Sequence, residues 1–318
     1  MKYNEKLYYA EDVNGFHIRA MDKRFKYSCL ESLEEFDRIC SRCGIKYYVM
    51  YGTLLGTIRH KGFIPWDDDI DVAMMRADYN RFINAARDVM RPPFVLCDVE
   101  DSCYHPLRVQ NGHTIRIDNE FINRFHGCPY PTGIDIYVLD KLPESEEEQE
   151  ILKTLFSMVT WASQYSSKYY TRYSGERTNK EDEDFEGAIN ALEDFLNVSI
   201  KRDGTESKQL AKLAYRIAAM YSDSNSDYIA RVESWYFDGV RGKFHKDLFR
   251  DTIMMPFEHM MVPVPSGYHE ILTHLYGDYM KLVKGGGAHE YGTYRTMEKQ
   301  LFDWLTENEI DIPPFLME

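Results

Sequence analysis

Four carboxylates fall within five positions, Asp67-Asp68-Asp69-Ile70-Asp71, sixteen residues after a run of small side chains that opens at Tyr51-Gly52-Thr53. Like charges at this density repel, and each costs free energy to keep ionised unless a cation sits among them. In an extended strand alternate side chains share a face, so Asp69 and Asp71 point one way while Ile70 and Val72 point into a core. Asp67 lies on the same alternation, less firmly because the strand is only beginning there, and Asp68 faces away. Paired hard oxygen ligands of this kind suit Mg²⁺ or Mn²⁺ rather than zinc. A calcium-binding EF-hand is excluded: a loop starting at Asp67 would place Val72 where glycine is needed and Asp78 where a bidentate Glu is usual.

A third acid comes from Gly133-Ile134-Asp135-Ile136-Tyr137-Val138-Leu139-Asp140, where Asp135 interrupts an apolar, β-rich run. An ionised acid buried there without a partner costs several kcal/mol, about 3–5 by the precedent of broken buried pairs. A place beside the metal held by Asp69 and Asp71 would remove that cost. The alternative is an Asp on the exposed face of an edge strand.

The block Tyr48–Met74 and Gly133–Ile136 resembles the LicD/fukutin-type phosphotransferases. So do Val262-Pro263-Val264-Pro265, Tyr276-Gly277-Asp278-Tyr279-Met280 and Gly285-Gly286-Gly287-Ala288-His289-Glu290-Tyr291. The resemblance implies an α+β fold: a polymerase-β-like nucleotidyltransferase mixed sheet with a helical insertion. It also implies an enzyme that moves a substituted phosphate, phosphocholine foremost, from a CDP-linked donor (CDP-choline or a CDP-polyol) to a hydroxyl of a glycan or lipid-linked glycan, with CMP leaving. The acceptor would be of teichoic acid or lipopolysaccharide type. Asp69 and Asp71 then match the family's metal pair and Asp135 its third acid, as metal ligand, general base or both. Gly52-Thr53 matches the turn beside the donor phosphates, with Thr where related enzymes carry Ser or Gly. His289 enters as a site residue through this match.

The chemistry is consistent with that set. Attack on an anionic phosphate is helped mainly by positioning and charge neutralisation, and an acid at close range can take the acceptor proton. Arg59 is the first choice for the donor phosphates, since its planar fork suits phosphate oxygens, and Lys61 the second. Arg108 and Arg116, flanking the Asn111-Gly112 turn, are further candidates for the same cleft. Trp66 and the 24 Tyr, 17 Phe and 4 Trp make an aromatic pocket for a quaternary ammonium feasible. Two rival classes share the acidic motif: a glycosyltransferase using a nucleotide sugar, and a non-catalytic nucleotide- or metal-binding module.

A net charge of −14 argues against nucleic acid as partner. No apolar run approaches the ~18 residues of a membrane span and none resembles a signal peptide, so the expected location is cytoplasmic, with any membrane contact peripheral. The six cysteines, including Cys40-Ser41-Arg42-Cys43, read as free thiols. The expected organisation is a core with the metal site over 1–143, a mostly helical insertion over 144–235, and a C-terminal part, 236–318, completing the cleft. Helices are expected over 25–43, 78–90 and 269–276. Strands are expected over 94–98, 105–110, 114–117 and 133–139, with a hairpin at 253–264.

Overall fold

The computed structural model describes residues 9–98, 107–167, 178–238, 242–283, 292–311 and 316. A short hairpin, β1 (Glu11–Val13) and β2 (Phe16–Ile18), leads into the long helix α1 (Ala20–Cys43). Asp22 in the first turn of α1 accepts the Arg19 N–H at 2.8 Å, which starts the helix five residues before the expected position. Gly44, at φ +61°, ends it in the left-handed conformation that glycine adopts without a Cβ penalty.

Then follow β3 (Tyr48–Val49), α2 (Tyr51–Arg59), β4 (Asp71–Met75), α3 (Arg76–Val89), β5 (Val95–Cys97), β6 (Leu107–Gln110), α4 (Asn119–Arg124) and β7 (Gly133–Lys141). The strands form one mixed sheet ordered β3-β4-β7-β6-β5, in which only the β4–β7 pair is parallel. One face carries Ile70, Val72, Met74, Ile134 and Ile136, all fully buried in the main core beneath α1 and α3. The opposite face carries the acids.

The segment 51–59, which in sequence resembles a small-residue turn, is helical. Its glycines serve close approach instead. A Cβ on Gly56 would meet the Gly62 carbonyl at 2.4 Å, and one on Gly52 would meet an Asp67 carboxylate oxygen at 2.4 Å. The strand expected over 114–117 is absent: β7 has both edges occupied by β4 and β6, and among the described residues this segment is tied by the Arg116 N–H to the Pro129 carbonyl at 2.8 Å.

Beyond β7 come α5 (Glu146–Ser166), α6 (Asn179–Leu196), α7 (Glu206–Ala218), β8 (Tyr228–Ala230), α8 (Val232–Asp238), β9 (Lys243–His245), the hairpin β10 (Thr252–Phe257) and β11 (Met260–Pro265), α9 (Tyr268–Tyr276) and α10 (Arg295–Glu307). Ser145 caps α5 through the Glu148 N–H, with Glu146 and Glu147 in the favoured first turn. The helices α5, α6 and α7 bury a second hydrophobic cluster that includes Leu152, Val159, Ile189, Leu192, Leu210 and Trp235. β8 returns from this cluster to pair antiparallel with the far end of β7, Asp140 opposite Ala230, and β9 pairs with β8. Neither strand is visible in the sequence pattern, since three residues are too few to show a period. No helix among the described residues is long and apolar enough to cross a membrane. The five described cysteines are free thiols, and Cys103 lies outside the described residues.

Candidate active site

The acidic residues meet where β4 and β7 start. Asp71 opens β4 and stands in direct register with Asp135 on the parallel neighbour, so both side chains leave the same face. The chain from Asp67 to Ile70 precedes the strand proper, yet the Asp135 N–H bonds the Ile70 carbonyl at 2.9 Å and carries the ladder into it. Asp67, Asp69 and Asp71 all line one cleft, of about 360 Å³. Asp68 points away from it and accepts the Gly292 and Thr293 N–H groups at 3.0 and 2.8 Å, which ties the acidic segment to the C-terminal part.

Helix α2 closes the cleft from another side. Gly52 and Arg59 line it. Thr53 is buried, and its Oγ1 accepts the Asp71 N–H at 2.8 Å, so this hydroxyl fixes the start of the acidic strand. Arg59 donates through Nη1 to the carbonyls of Tyr279 and Lys281, at 2.7 and 3.2 Å, holding down the opposite wall of Tyr276, Asp278, Tyr279, Lys281 and Val283. Lys61 is exposed, donates to the Ile58 carbonyl at 3.2 Å and is not among the residues lining the cleft. Arg116 is likewise elsewhere, paired with Asp118 and stacked over Phe121. Gly285–Gly287 and His289 lie outside the described residues.

The charges are unevenly settled. Burial raises the Asp71 carboxyl well above the carboxylate range, and Asp69, Asp135 and Asp67 push it further, with Arg231 opposing. Asp67 is pushed up to about 8 by burial and by Asp69. Asp71 Oδ1 is buried with no hydrogen-bond partner among the described residues. An orphaned buried carboxylate oxygen among further carboxylates is the donor set a hard divalent cation takes, so Asp69 and Asp71, with Asp67 adjacent, fit such an ion. Asp135 differs: Arg108, its register partner on β6, reaches Oδ1 with Nε at 2.5 Å and Oδ2 with Nη2 at 3.0 Å. The sheet therefore supplies the neutralising partner that the sequence left open, and Asp135 lies on a central strand, not an edge. Among the described residues no three acidic, His or Cys side chains converge as a ready metal cage.

Two side chains near the site carry no signal in the sequence. Lys26 of α1 is buried and donates to the Pro65 carbonyl at 2.8 Å and the Ile64 carbonyl at 3.4 Å, pinning the bend before Trp66-Asp67. Burial lowers its pKa, opposed by Asp67. A lysine in a charged helix gives no hint of such a task. Arg231 belongs to the helical stretch, where nothing marks it.

An acidic, partly aromatic cleft thus lies on the open face of the mixed sheet, where the parallel strands β4 and β7 start. A family model described as "LicD/FKTN/FKRP, nucleotidyltransferase domain" matches residues 44–154. The chain is 31% identical over 256 residues to the "Lipopolysaccharide cholinephosphotransferase LicD" of Haemophilus influenzae, covering 80% of this chain and 89% of that protein. It is also 39% identical over 68 residues to an uncharacterised protein of Rickettsia prowazekii, covering 21% of this chain and 24% of that one. The chain belongs to the LicD family.

Proposed function

We propose that this phosphotransferase moves phosphocholine from a CDP-linked donor to a hydroxyl of a glycan of lipopolysaccharide type, releasing CMP. The observation that carries the reading is one cleft with three crowded carboxylates on one wall, Asp67, Asp69 and Asp71, and the aromatic rings of Trp66, Tyr276 and Tyr279 around them. The relative from H. influenzae, a cholinephosphotransferase by name, supports the choice of group. A trimethylammonium cannot donate a hydrogen bond and is held by aromatic faces, with Asp278 adding an opposite charge.

In this reading Asp69 and Asp71 hold Mg²⁺ or Mn²⁺, which when bound neutralises phosphate charge and polarises the reacting oxygens. The acceptor oxygen bonds to the phosphorus that carries choline, and the bond from that phosphorus to the CMP oxygen breaks. The acceptor proton passes to Asp135, oriented by the fork of Arg108. Thr53 sets the position of Asp71 through its backbone N–H. Gly52 leaves room for Asp67 where any Cβ would collide, and with Arg59 it faces the donor phosphates.

The test is the identity of the products. CDP-choline, CDP-ribitol, CDP-glycerol and UDP-sugars are each incubated with the chain, Mg²⁺ and a lipopolysaccharide acceptor, and the products are followed by phosphorus NMR. CMP together with a choline phosphodiester on the acceptor is expected. Release of CDP or UDP, with the transferred group lacking phosphate, would overturn the reading in favour of a glycosyltransferase.

A further inference from the structure

We propose that Arg231, delivered by the helical part of the chain, is a further arginine that binds the phosphates of the donor, beside Arg59. The inference rests on the phosphotransferase reading above and adds a residue and a source of charge to it. Arg231 directly follows β8, the strand that returns from the second hydrophobic cluster to pair with β7. Its guanidinium carbon lies 3.8 Å from the centre of the Tyr137 ring. Tyr137 stands two residues beyond Asp135, on the same face of β7, with its hydroxyl 3.5 Å from Asp135 Oδ2. The planar cation is therefore held flat against the face that carries the acids.

Two other arginines stand near this face. Arg108 donates through Nη2 to Asp135, with Nε in ion-pair contact with the same carboxylate, and Arg59 Nη1 goes to two backbone carbonyls. Arg231 has a single acidic partner among the described residues. Nε, at 3.1 Å, and Nη2 both point at a single oxygen, Glu233 Oε2, and Nη1 has no hydrogen-bond partner among the described residues. The side chain keeps 20% of its surface exposed. Its charge also opposes the mutual repulsion that acts on Asp71. A guanidinium stacked on a ring, with a donor to spare and a single-oxygen partner that an incoming anion can replace, has the equipment for phosphate recognition. Glu233 then holds the fork in place while the site is empty and competes with the phosphate for it.

Calorimetric titration of CDP in excess Mg²⁺ tests this on the full chain, with thermal melting alongside. Arg231→Met is expected to weaken CDP binding at least ~10-fold, the low end for charged hydrogen bonds. Arg231→Lys, which keeps the charge without the fork, should fall between the two. Glu233→Gln should tighten binding by removing the competitor. CDP affinity within about twofold of the wild type in a folded Arg231→Met chain would overturn the assignment. Should that variant not fold, unchanged affinity in Arg231→Lys would overturn it equally. A wild-type chain that takes up no CDP would remove the donor reading, and this assignment with it, whereas normal wild-type binding with insensitive variants removes the arginine alone.

Discussion

Two sets of acids sit on neighbouring strands and are treated in opposite ways. On β7, Asp135 and Asp140 each receive an arginine: Arg108 for the first, with Nη2 donating at 3.0 Å and Nε in ion-pair contact, and for the second Arg76, whose Nε and Nη2 reach Asp140 at 2.7 and 2.6 Å. Arg76 is itself stacked by Tyr79 and Tyr215, so that pair is walled in by rings. On the approach to β4, Asp67, Asp69 and Asp71 crowd together, and Asp71 Oδ1 has no hydrogen-bond partner among the described residues. A fold able to supply an arginine fork to its buried acids withholds one from Asp71. Burial of an uncompensated charge is retained where something other than stability selects it.

Neutralising either set should therefore have opposite consequences. Asp71→Asn should lower turnover on the order of 10⁴-fold, as several kcal/mol of charge stabilisation are lost. In chelator it should melt no lower than the wild type, because a repelled carboxylate has gone. Turnover and melting, measured on the same preparation, decide this, and retained activity would end the metal assignment. Asp140→Asn should do the reverse: breaking a buried pair costs about 3–5 kcal/mol of stability, read by denaturant unfolding, while the rate per folded molecule stays near that of the wild type. A severe rate loss at constant stability would move Asp140 into the site.

Asp135→Asn sharpens the boundary, since this acid is paired like Asp140 yet placed like Asp71. A loss of at least ~10²-fold in rate, with donor affinity changed much less, is expected of a general base. A loss under about tenfold would return Asp135 to the compensated set. The smallest effect concerns pH. Asp67 binds a proton up to about pH 8 in the folded chain and only to its ordinary 3.8 when unfolded. Across that window the folded state holds the extra proton, so metal-free stability should fall as pH rises. Melting curves in chelator should show this slope, and Asp67→Asn should reduce it. An unchanged slope in the variant would refute Asp67 as the source.

The acidic face is legible because it depends on alternation alone: Asp67, Asp69 and Asp71 share one side and Ile70 and Val72 the other, whatever the sheet around them. The spacing of Phe25, Leu33, Phe36 and Ile39 likewise marks α1, and the apolar run marks β7. What sequence spacing cannot carry is cross-strand partnership. That Arg108 stands opposite Asp135 follows from the register of β6 on β7, and that Thr53 serves the Asp71 backbone follows from how α2 docks. Gly52 and Gly56 look like turn residues in the sequence because glycine breaks helices in isolation. The close approach of Asp67 and the Gly62 carbonyl outweighs that propensity. The strands β8 and β9 are hidden inside a helical composition, and Arg231 with them.

Strand β7 runs through both hydrophobic clusters, with Leu139 in the main core and Leu142, just past its end, in the helical one. The acid that faces the reaction and the edge that receives β8 are thus a few residues apart on a single rigid element. Inheritance in such a chain is modular within a limit. A change in α5, α6 or α7 can reach the acidic face by two routes, the return through 228–231 and Tyr215 of α7, whose hydroxyl lies 2.8 Å from that of Tyr79 and whose ring lies against Arg76. The helical part and the chemistry are therefore joined by side chains as well as by one short stretch of backbone.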